Sequence, residues 1–232
     1  MKDNYKNIAY SKEYLQYRQS LDWLFKLEAK EIEIKQAGYG YLIEEHHYYI
    51  QKDNPDTGYL TNYAAVKALV KDSSGKTLQE IKSIDSHFFA HLFRHANGKD
   101  YLVYNIDLYG YSVMELPTGQ SADYVPFLSF EGGGETFIWC DKFYSPVNNL
   151  LVVDGCYWAC PWHLEFYDFS NPLSLPLPKY CDSYQFEDAL GMSSDDDISF
   201  SSFTQTGECI LEGLDKDNQA VKKVVDIVKL KI

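Results

Sequence analysis

The segment from Asp154 to His163, which reads DGCYWACPWH, holds the densest group of reactive side chains in the chain. Cys156, Cys160 and His163 could ligate zinc through two thiolates and one imidazole. Their spacing matches no common paired zinc motif, and strand residues four positions apart lie about 13 Å apart. A metal-stabilised domain is therefore one hypothesis. We favour thiols that pack as small hydrophobic groups, and we predict no cofactor.

The same segment also supplies acid–base groups. Asp154, His163 and Asp168 are candidate catalytic residues for a hydrolase, because a carboxylate can orient an imidazole that accepts a proton. Glu131 and Glu135 flank a glycine loop and add carboxylates for glycoside hydrolysis, which needs a pair of them. Sequence spacing does not bring any of these groups together, so a hydrolase stays the alternative function.

Aromatic residues are the larger signal, with 20 Tyr, 13 Phe and 4 Trp in 232 residues. Tyr and Trp offer a wide, rigid contact area and are enriched where proteins bind proteins. Six of them crowd into turns and adjoining strand ends: Tyr109, Tyr111, Tyr157, Trp158, Trp162 and Tyr167. The sequence therefore predicts an exposed aromatic face that binds a protein partner.

The charge balance narrows the class of partner. The chain carries 34 acidic and 21 basic residues, a formal net charge of -13. This surface repels phosphate groups, so we expect neither nucleic acid nor a membrane as partner, but a basic or amphipathic protein. In its acidic, tyrosine-rich composition the chain is similar to immunity proteins, which neutralise a toxin by masking it. That resemblance implies an inhibitor-like interaction module.

The sequence also indicates the cellular compartment in which the protein is located. Residues 1–6 are polar and lead into no apolar region, and no apolar run approaches the roughly 18 residues of a membrane span. Five cysteines make an odd count, which favours reduced thiols. We predict a cytoplasmic protein.

Helical spacing is confined to the start of the chain. Ser11 can cap a helix over residues 11–30, in which apolar residues recur every three or four positions. From Glu31 the side chains alternate between polar and apolar with period two, which is typical of a half-buried strand. We predict an N-terminal helical segment over residues 1–30 and a single β-rich domain over residues 31–232.

Four hairpin-like segments follow, opening at residues 41, 101, 150 and 208. A period near fifty residues with several strands in each unit resembles the blades of a β-propeller, although no fixed dipeptide signature recurs. An antiparallel sandwich with similar hairpins is the alternative. The predicted fold is therefore all-β and mainly antiparallel with one N-terminal helix, built as a propeller-like array or a β-sandwich with about four hairpin repeats.

Histidine spacing offers a weaker metal hypothesis. His87, His91 and His95 would share one face of a helix and could then bind a metal. Asn97-Gly98 follows directly, and Asn-Gly between apolar runs is a strong hairpin signal. We therefore predict a strand from residue 87 to residue 94, which would separate the three imidazoles.

Overall fold

The computed structural model describes residues 6–53, 58–158, 160–193 and 198–230. It opens with helix α1 (Lys12–Ser20), and the Ser11 hydroxyl accepts a hydrogen bond from the Tyr14 amide, as the predicted cap requires. In the described part of the chain, no helix is both long enough and apolar enough to cross a membrane.

The predicted helix over residues 11–30 was too long. After Ser20 the chain turns at Leu21 and continues as a short 3-10 helix, Leu24–Lys26. Leu21 and Leu24 are buried against Ala65 of the first sheet. This burial requires the chain to leave the helix, so tertiary packing overrides the apolar spacing.

The first two sheets each have four antiparallel strands in chain order. The first contains β1 (Glu31–Gly38), β2 (Tyr41–Asp53), β3 (Leu60–Lys71) and β4 (Thr77–Ser83). The second contains β5 (Ala90–Arg94), β6 (Asp100–Asn105), β7 (Tyr111–Leu116) and β8 (Ser121–Tyr124). A single helical turn, α2 (Phe127–Phe130), leads to the third sheet.

The last two sheets are also built from antiparallel strands in chain order. The third contains β9 (Ile138–Ser145), β10 (Leu150–Cys156), β11 (His163–Asp168) and β12 (Lys179–Asp182). A short helix, α3 (Phe186–Leu190), leads to the fourth sheet. This sheet has three strands, β13 (Ser199–Phe203), β14 (Cys209–Leu214) and β15 (Ala220–Val225).

The four predicted hairpin segments mark equivalent strands. Residues 41, 101, 150 and 208 open, or lie within one residue of, β2, β6, β10 and β14, the second strand of each sheet. The Asn97-Gly98 turn joins β5 to β6, and Gly98 has the left-handed φ of +82° that this turn needs. The prediction of a mainly antiparallel all-β fold with repeated hairpins and one N-terminal helix is confirmed.

The sheets stack face to face along the chain. One core cluster joins the first sheet to the second, another joins the second to the third, and a third joins the third to the fourth. Along β6, Leu102 and Tyr104 enter the first of these clusters, whereas Tyr101 and Val103 enter the next. A propeller-like array and a layered sandwich both fit this row of stacked sheets.

Hydrogen bonds connect helix α1 to both the first and the second sheet. The guanidinium of Arg18 donates to the carbonyl oxygens of Ile106 and Lys82, at 2.6 and 2.5 Å. The Tyr14 hydroxyl donates to the carboxylate of Asp107. These bonds hold the helix across the junction of the first and second sheets.

A buried lysine lies where β9 meets the segment before β5. Lys142 is 1 % exposed, and its Nζ donates to the carbonyl oxygens of Phe89 at 3.1 Å and Cys140 at 2.8 Å. Burial lowers the pKa of Lys142 from 10.5 to about 7. The folded protein therefore loses this proton at a much lower pH than the unfolded chain does.

We expect this lysine to make stability depend on pH. Between about pH 7 and pH 10.5 the unfolded chain holds the proton and the folded chain does not, so the free energy of unfolding should rise with pH. The maximum slope from one group is about 1.4 kcal/mol per pH unit. Lys142→Met should remove this contribution, as measured by urea unfolding at several pH values.

Lys216→Met is the matched control, because it removes the same charge from an exposed turn. Relative to wild type, Lys142→Met should be stabilised most at pH 7 or below, and this difference should shrink toward pH 10. Parallel curves for Lys142→Met and Lys216→Met would contradict the buried-amine account.

Candidate binding site

A cavity of about 390 Å³ opens between the second and third sheets. Ligand-binding pockets in proteins usually measure roughly 300–1,000 Å³ and are mostly apolar with a few polar groups. Half of its fourteen lining residues are aromatic: Tyr109, Tyr111, Tyr124, Phe137, Trp139, Tyr157 and Tyr167. Its size and composition are therefore those of a binding site.

The innermost rings pack against one another. Tyr111 on β7 stacks on Trp139 on β9, with ring centroids 3.8 Å apart and planes at 10°. Tyr167 on β11 lies 4.9 Å from Trp139, and Tyr124 lies 5.3 Å from Tyr111. Because four strands of two sheets hold these rings, the wall is formed before any ligand arrives.

One ion pair lies within the wall. Glu165 is 4 % exposed and accepts hydrogen bonds from Lys179 Nζ, at 3.0 Å, and from the Tyr167 hydroxyl. Burial raises the pKa of Glu165, against the opposing attraction of Lys179. Burial disfavours the charged amine of Lys179, but Glu165 outweighs this effect and the pKa of Lys179 is raised. The two groups therefore hold each other in place.

Two further polar groups line the cavity from the segment just before β9. Glu135 accepts a hydrogen bond from the backbone amide of Trp158. The side-chain oxygen of Thr136 is buried and has no hydrogen-bond partner among the described residues. Of the charged residues lining the cavity, Glu135 and Glu165 are acidic and Lys179 is basic, which leaves one net negative charge.

The segment between β11 and β12 borders the cavity. Pro176 and Leu177 line it, and the Leu177 amide donates to the Tyr111 hydroxyl at 2.9 Å. This bond is buried, so it ties the segment to the inner ring wall.

The structure brings most of the predicted binding residues together. Four of the six line the cavity: Tyr109, Tyr111, Tyr157 and Tyr167. Tyr111 and Tyr167 are buried, in contrast to the exposed cluster that we expected, because both point between two stacked sheets. Trp158 and Trp162 are exposed, at 61 % and 44 %. A role of these six residues in binding stays a prediction.

Sequence reasoning missed several lining residues. Trp139, Glu165 and Lys179 were not predicted to belong to a site, and Tyr124 was not either. The period-two alternation along β11 was the available signal for Glu165, since it places that side chain on the same face as Tyr167.

The candidate catalytic residues are not brought together. His163 is fully buried, with Nδ1 3.2 Å from the Ser183 hydroxyl. It pairs with Gly155 across β10 and β11, so Asp154 points to the opposite face of the sheet. Asp168 is the last residue of β11, about 17 Å along the strand from His163.

The candidate metal ligands do not converge either. Within the described residues, three potential ligand atoms come within 4.8 Å of one another at Glu33, Glu45 and His47, and not at Cys156, Cys160 and His163. All five cysteines carry free thiols. Burial raises the pKa of Cys156, which disfavours the thiolate that zinc requires.

The histidines near β5 are also separated. The strand begins at Ala90, three residues later than predicted, and runs to Arg94. His91 Nε2 lies 3.6 Å from Asp141, whereas His95 Nε2 contacts the carbonyl oxygen of Phe169 at 2.9 Å. His87 precedes the strand, and its Nδ1 lies 2.8 Å from the Ser86 hydroxyl, so the three imidazoles have different surroundings.

Comparison with known proteins adds little about function. No protein-family model matches the chain. The chain is similar to an uncharacterized protein of Acanthamoeba polyphaga mimivirus, with 30 % identity over 115 residues. The match covers 48 % of this chain and 44 % of the viral protein, so the chain spans less than half the length of that relative.

The bond from Leu177 to Tyr111 gives a test of the cavity wall. Tyr111→Phe removes the acceptor and leaves a buried amide unsatisfied, which should lower the free energy of unfolding by about 1–3 kcal/mol. Tyr10→Phe is the matched control, because the Tyr10 hydroxyl also accepts from a backbone amide, that of Asp123, but at an exposed position.

Water can replace the hydroxyl in Tyr10→Phe, so that change should cost less than about 0.5 kcal/mol. Denaturant unfolding of both variants measures the two costs. Equal costs would mean that the segment carrying Leu177 is not held by Tyr111 in solution.

Proposed function

We propose that the protein is a binding module, not an enzyme, and that its aromatic cavity receives a basic side chain of a protein partner. The observation that carries this proposal is the composition of the cavity wall, in which seven aromatic rings surround an excess of carboxylate over ammonium.

Aromatic rings favour a cation because their faces carry partial negative charge. A Lys or Arg group within about 6 Å of a ring centroid gains roughly 0.5–1 kcal/mol when exposed and about 2 kcal/mol or more when desolvated. Tyr109 and Tyr157 are only partly buried, so they are accessible to an entering side chain. Glu135 supplies a carboxylate beside them.

Thr136 adds a polar contact. Thr136 lines the cavity, and its buried hydroxyl oxygen has no partner among the described residues, so a side-chain rotation toward the cavity would let it accept a hydrogen bond from an incoming N–H group. Buried hydroxyls are usually satisfied, and a ligand would relieve the cost of this one.

The rest of the surface favours the same class of partner. A net charge of -13 attracts a basic protein and speeds the encounter, an effect that salt weakens. Trp158 is exposed, and its backbone amide donates to Glu135 of the cavity wall. Trp162 is exposed four residues further along the chain. Exposed Trp residues are frequent energetic centres of protein interfaces.

Binding fits the cavity better than hydrolysis does. Glu165 is held by Lys179 and Tyr167, so its carboxylate is not free to transfer protons. Asp154, His163 and Asp168 lie apart. We further propose a cytoplasmic location, which the five free thiols support, and an inhibitor-like role in which a basic site of the partner is masked.

The test uses four peptides that differ at one central residue: Lys, Arg, trimethyl-lysine or the uncharged norleucine. Each is titrated into the full chain while tryptophan fluorescence is followed, because Trp139 lies in the wall. We expect the charged peptides to bind at least about tenfold more tightly than norleucine, the factor that 1.4 kcal/mol gives.

Three variants test whether the cavity residues bind the peptides and cause the preference for a charged residue. Glu135→Gln should reduce the preference for charged peptides, and Tyr157→Ala should weaken binding of all of them, while both proteins stay folded. Tyr39→Ala, which removes an exposed ring from the turn between β1 and β2, is the control and should bind like wild type. Equal binding of norleucine and the charged peptides, or no binding at all, would overturn the proposal.

A further inference from the structure

A second polar cluster lies on the first sheet, away from the aromatic cavity. Glu33 on β1 pairs with Glu45 on β2, and His47 follows two positions along β2, on the same face as Glu45. Glu45 is 1 % exposed and His47 is 7 % exposed. Ligand atoms of the three side chains lie within 4.8 Å of one another.

The ammonium group of Lys35 already places a cation between the two carboxylates. Its ammonium lies 2.8 Å from Glu45 Oε2 and 3.1 Å from Glu33 Oε2, so it bridges the two carboxylates. The lysine side chain is 49 % exposed. It is therefore able to swing out into water and leave the carboxylates to another cation.

The imidazole of His47 is oriented as a metal ligand. The Tyr49 hydroxyl lies 3.4 Å from the Ser86 carbonyl oxygen and 3.4 Å from His47 Nδ1. In the Nδ1–H tautomer the imidazole would donate to the Tyr49 hydroxyl, which itself donates to the Ser86 carbonyl oxygen. That tautomer would leave the Nε2 lone pair available to a metal ion. Such a hydrogen bond on the other ring nitrogen is usual for metal-binding histidines.

That lone pair has no hydrogen-bond partner among the described residues. Nε2 lies 3.4 Å from Glu45 Oε2. Two ligand atoms that each bind zinc at about 2.1 Å with a tetrahedral angle are also about 3.4 Å apart. Glu45 and His47 therefore already have the separation that a shared ion would impose.

We propose that Glu33, Glu45 and His47 bind a divalent metal ion of the zinc type, and that Lys35 occupies the place of the ion when none is bound. One imidazole and two carboxylates are a ligand set that zinc accepts, and three protein ligands leave a fourth position for water. The lysine keeps the buried carboxylates paired in the metal-free protein.

The test is titration of the full chain with Zn²⁺ by isothermal calorimetry, in a buffer that does not bind zinc. Wild type should bind one ion per chain. His47→Ala should weaken binding at least tenfold, whereas Lys35→Met should strengthen it at least tenfold, because the competing ammonium is gone. Lys35 is half exposed, so this variant keeps the test valid even where His47→Ala lowers stability.

Two control variants separate this site from other ligands. His46→Ala removes the neighbouring imidazole, which points to the other face of β2 and pairs with Glu44 at 2.8 Å, and it should bind like wild type. Cys160→Ser should also bind like wild type. Loss of zinc on Cys160→Ser with no change in His47→Ala would place the metal at the thiols and overturn the proposal. So would unchanged affinity in Lys35→Met.

Discussion

The second and third sheets bury both of their faces, and most other features of the fold depend on this constraint. Every residue of β6 and β7 is buried, because alternate side chains enter the cores on opposite sides of the sheet. The same holds in the third sheet, where Leu150 and Val152 face one core while Leu151 and Val153 face the other. Such strands have no face in contact with water, so their sequences are mostly apolar and their polar residues are buried.

Polar groups within these layers must then find partners inside the protein, because water does not reach them. They collect at the junctions between sheets. Lys142 is held by two carbonyl oxygens where β9 meets the segment before β5, and Glu165 is held by Lys179 and Tyr167 at the edge of the aromatic cavity. Both candidate binding sites lie at such a junction. Each contains a buried glutamate on the strand face that packs against a neighbouring sheet.

The repeat of the strands was predictable from the sequence, because the second strand of each sheet contains a short apolar run that follows a tight turn. The exposure of aromatic residues was not. Tyr111 and Tyr167 resemble Trp158 in sequence context, yet they point between two sheets, and sequence does not show which faces a later sheet will cover. Lys179 follows β11 by eleven residues and reaches Glu165 only through the pairing of β11 with β12. That tertiary pairing carries no local signal.

Three buried glutamates on different sheets each form an ion pair with a lysine, which covers the carboxylate from the solvent side. The pairs are Glu45 with Lys35, Glu115 with Lys99, and Glu165 with Lys179. In each pair the glutamate side chain is at most 8 % exposed, and the lysine is at least 38 % exposed.

What surrounds each carboxylate decides what else it can bind. Glu115 accepts from the hydroxyls of Tyr101 and Thr118, which complete its hydrogen bonding, so its role is structural. Glu165 belongs to a wall of aromatic rings that suits an organic cation. Glu45 has a second carboxylate and an imidazole nitrogen within 4.8 Å, a set that suits a metal ion. The same ion pair therefore has a structural role at Glu115 and belongs to the two sites that we propose bind cations, because the neighbours differ while the buried charge and its lysine stay the same.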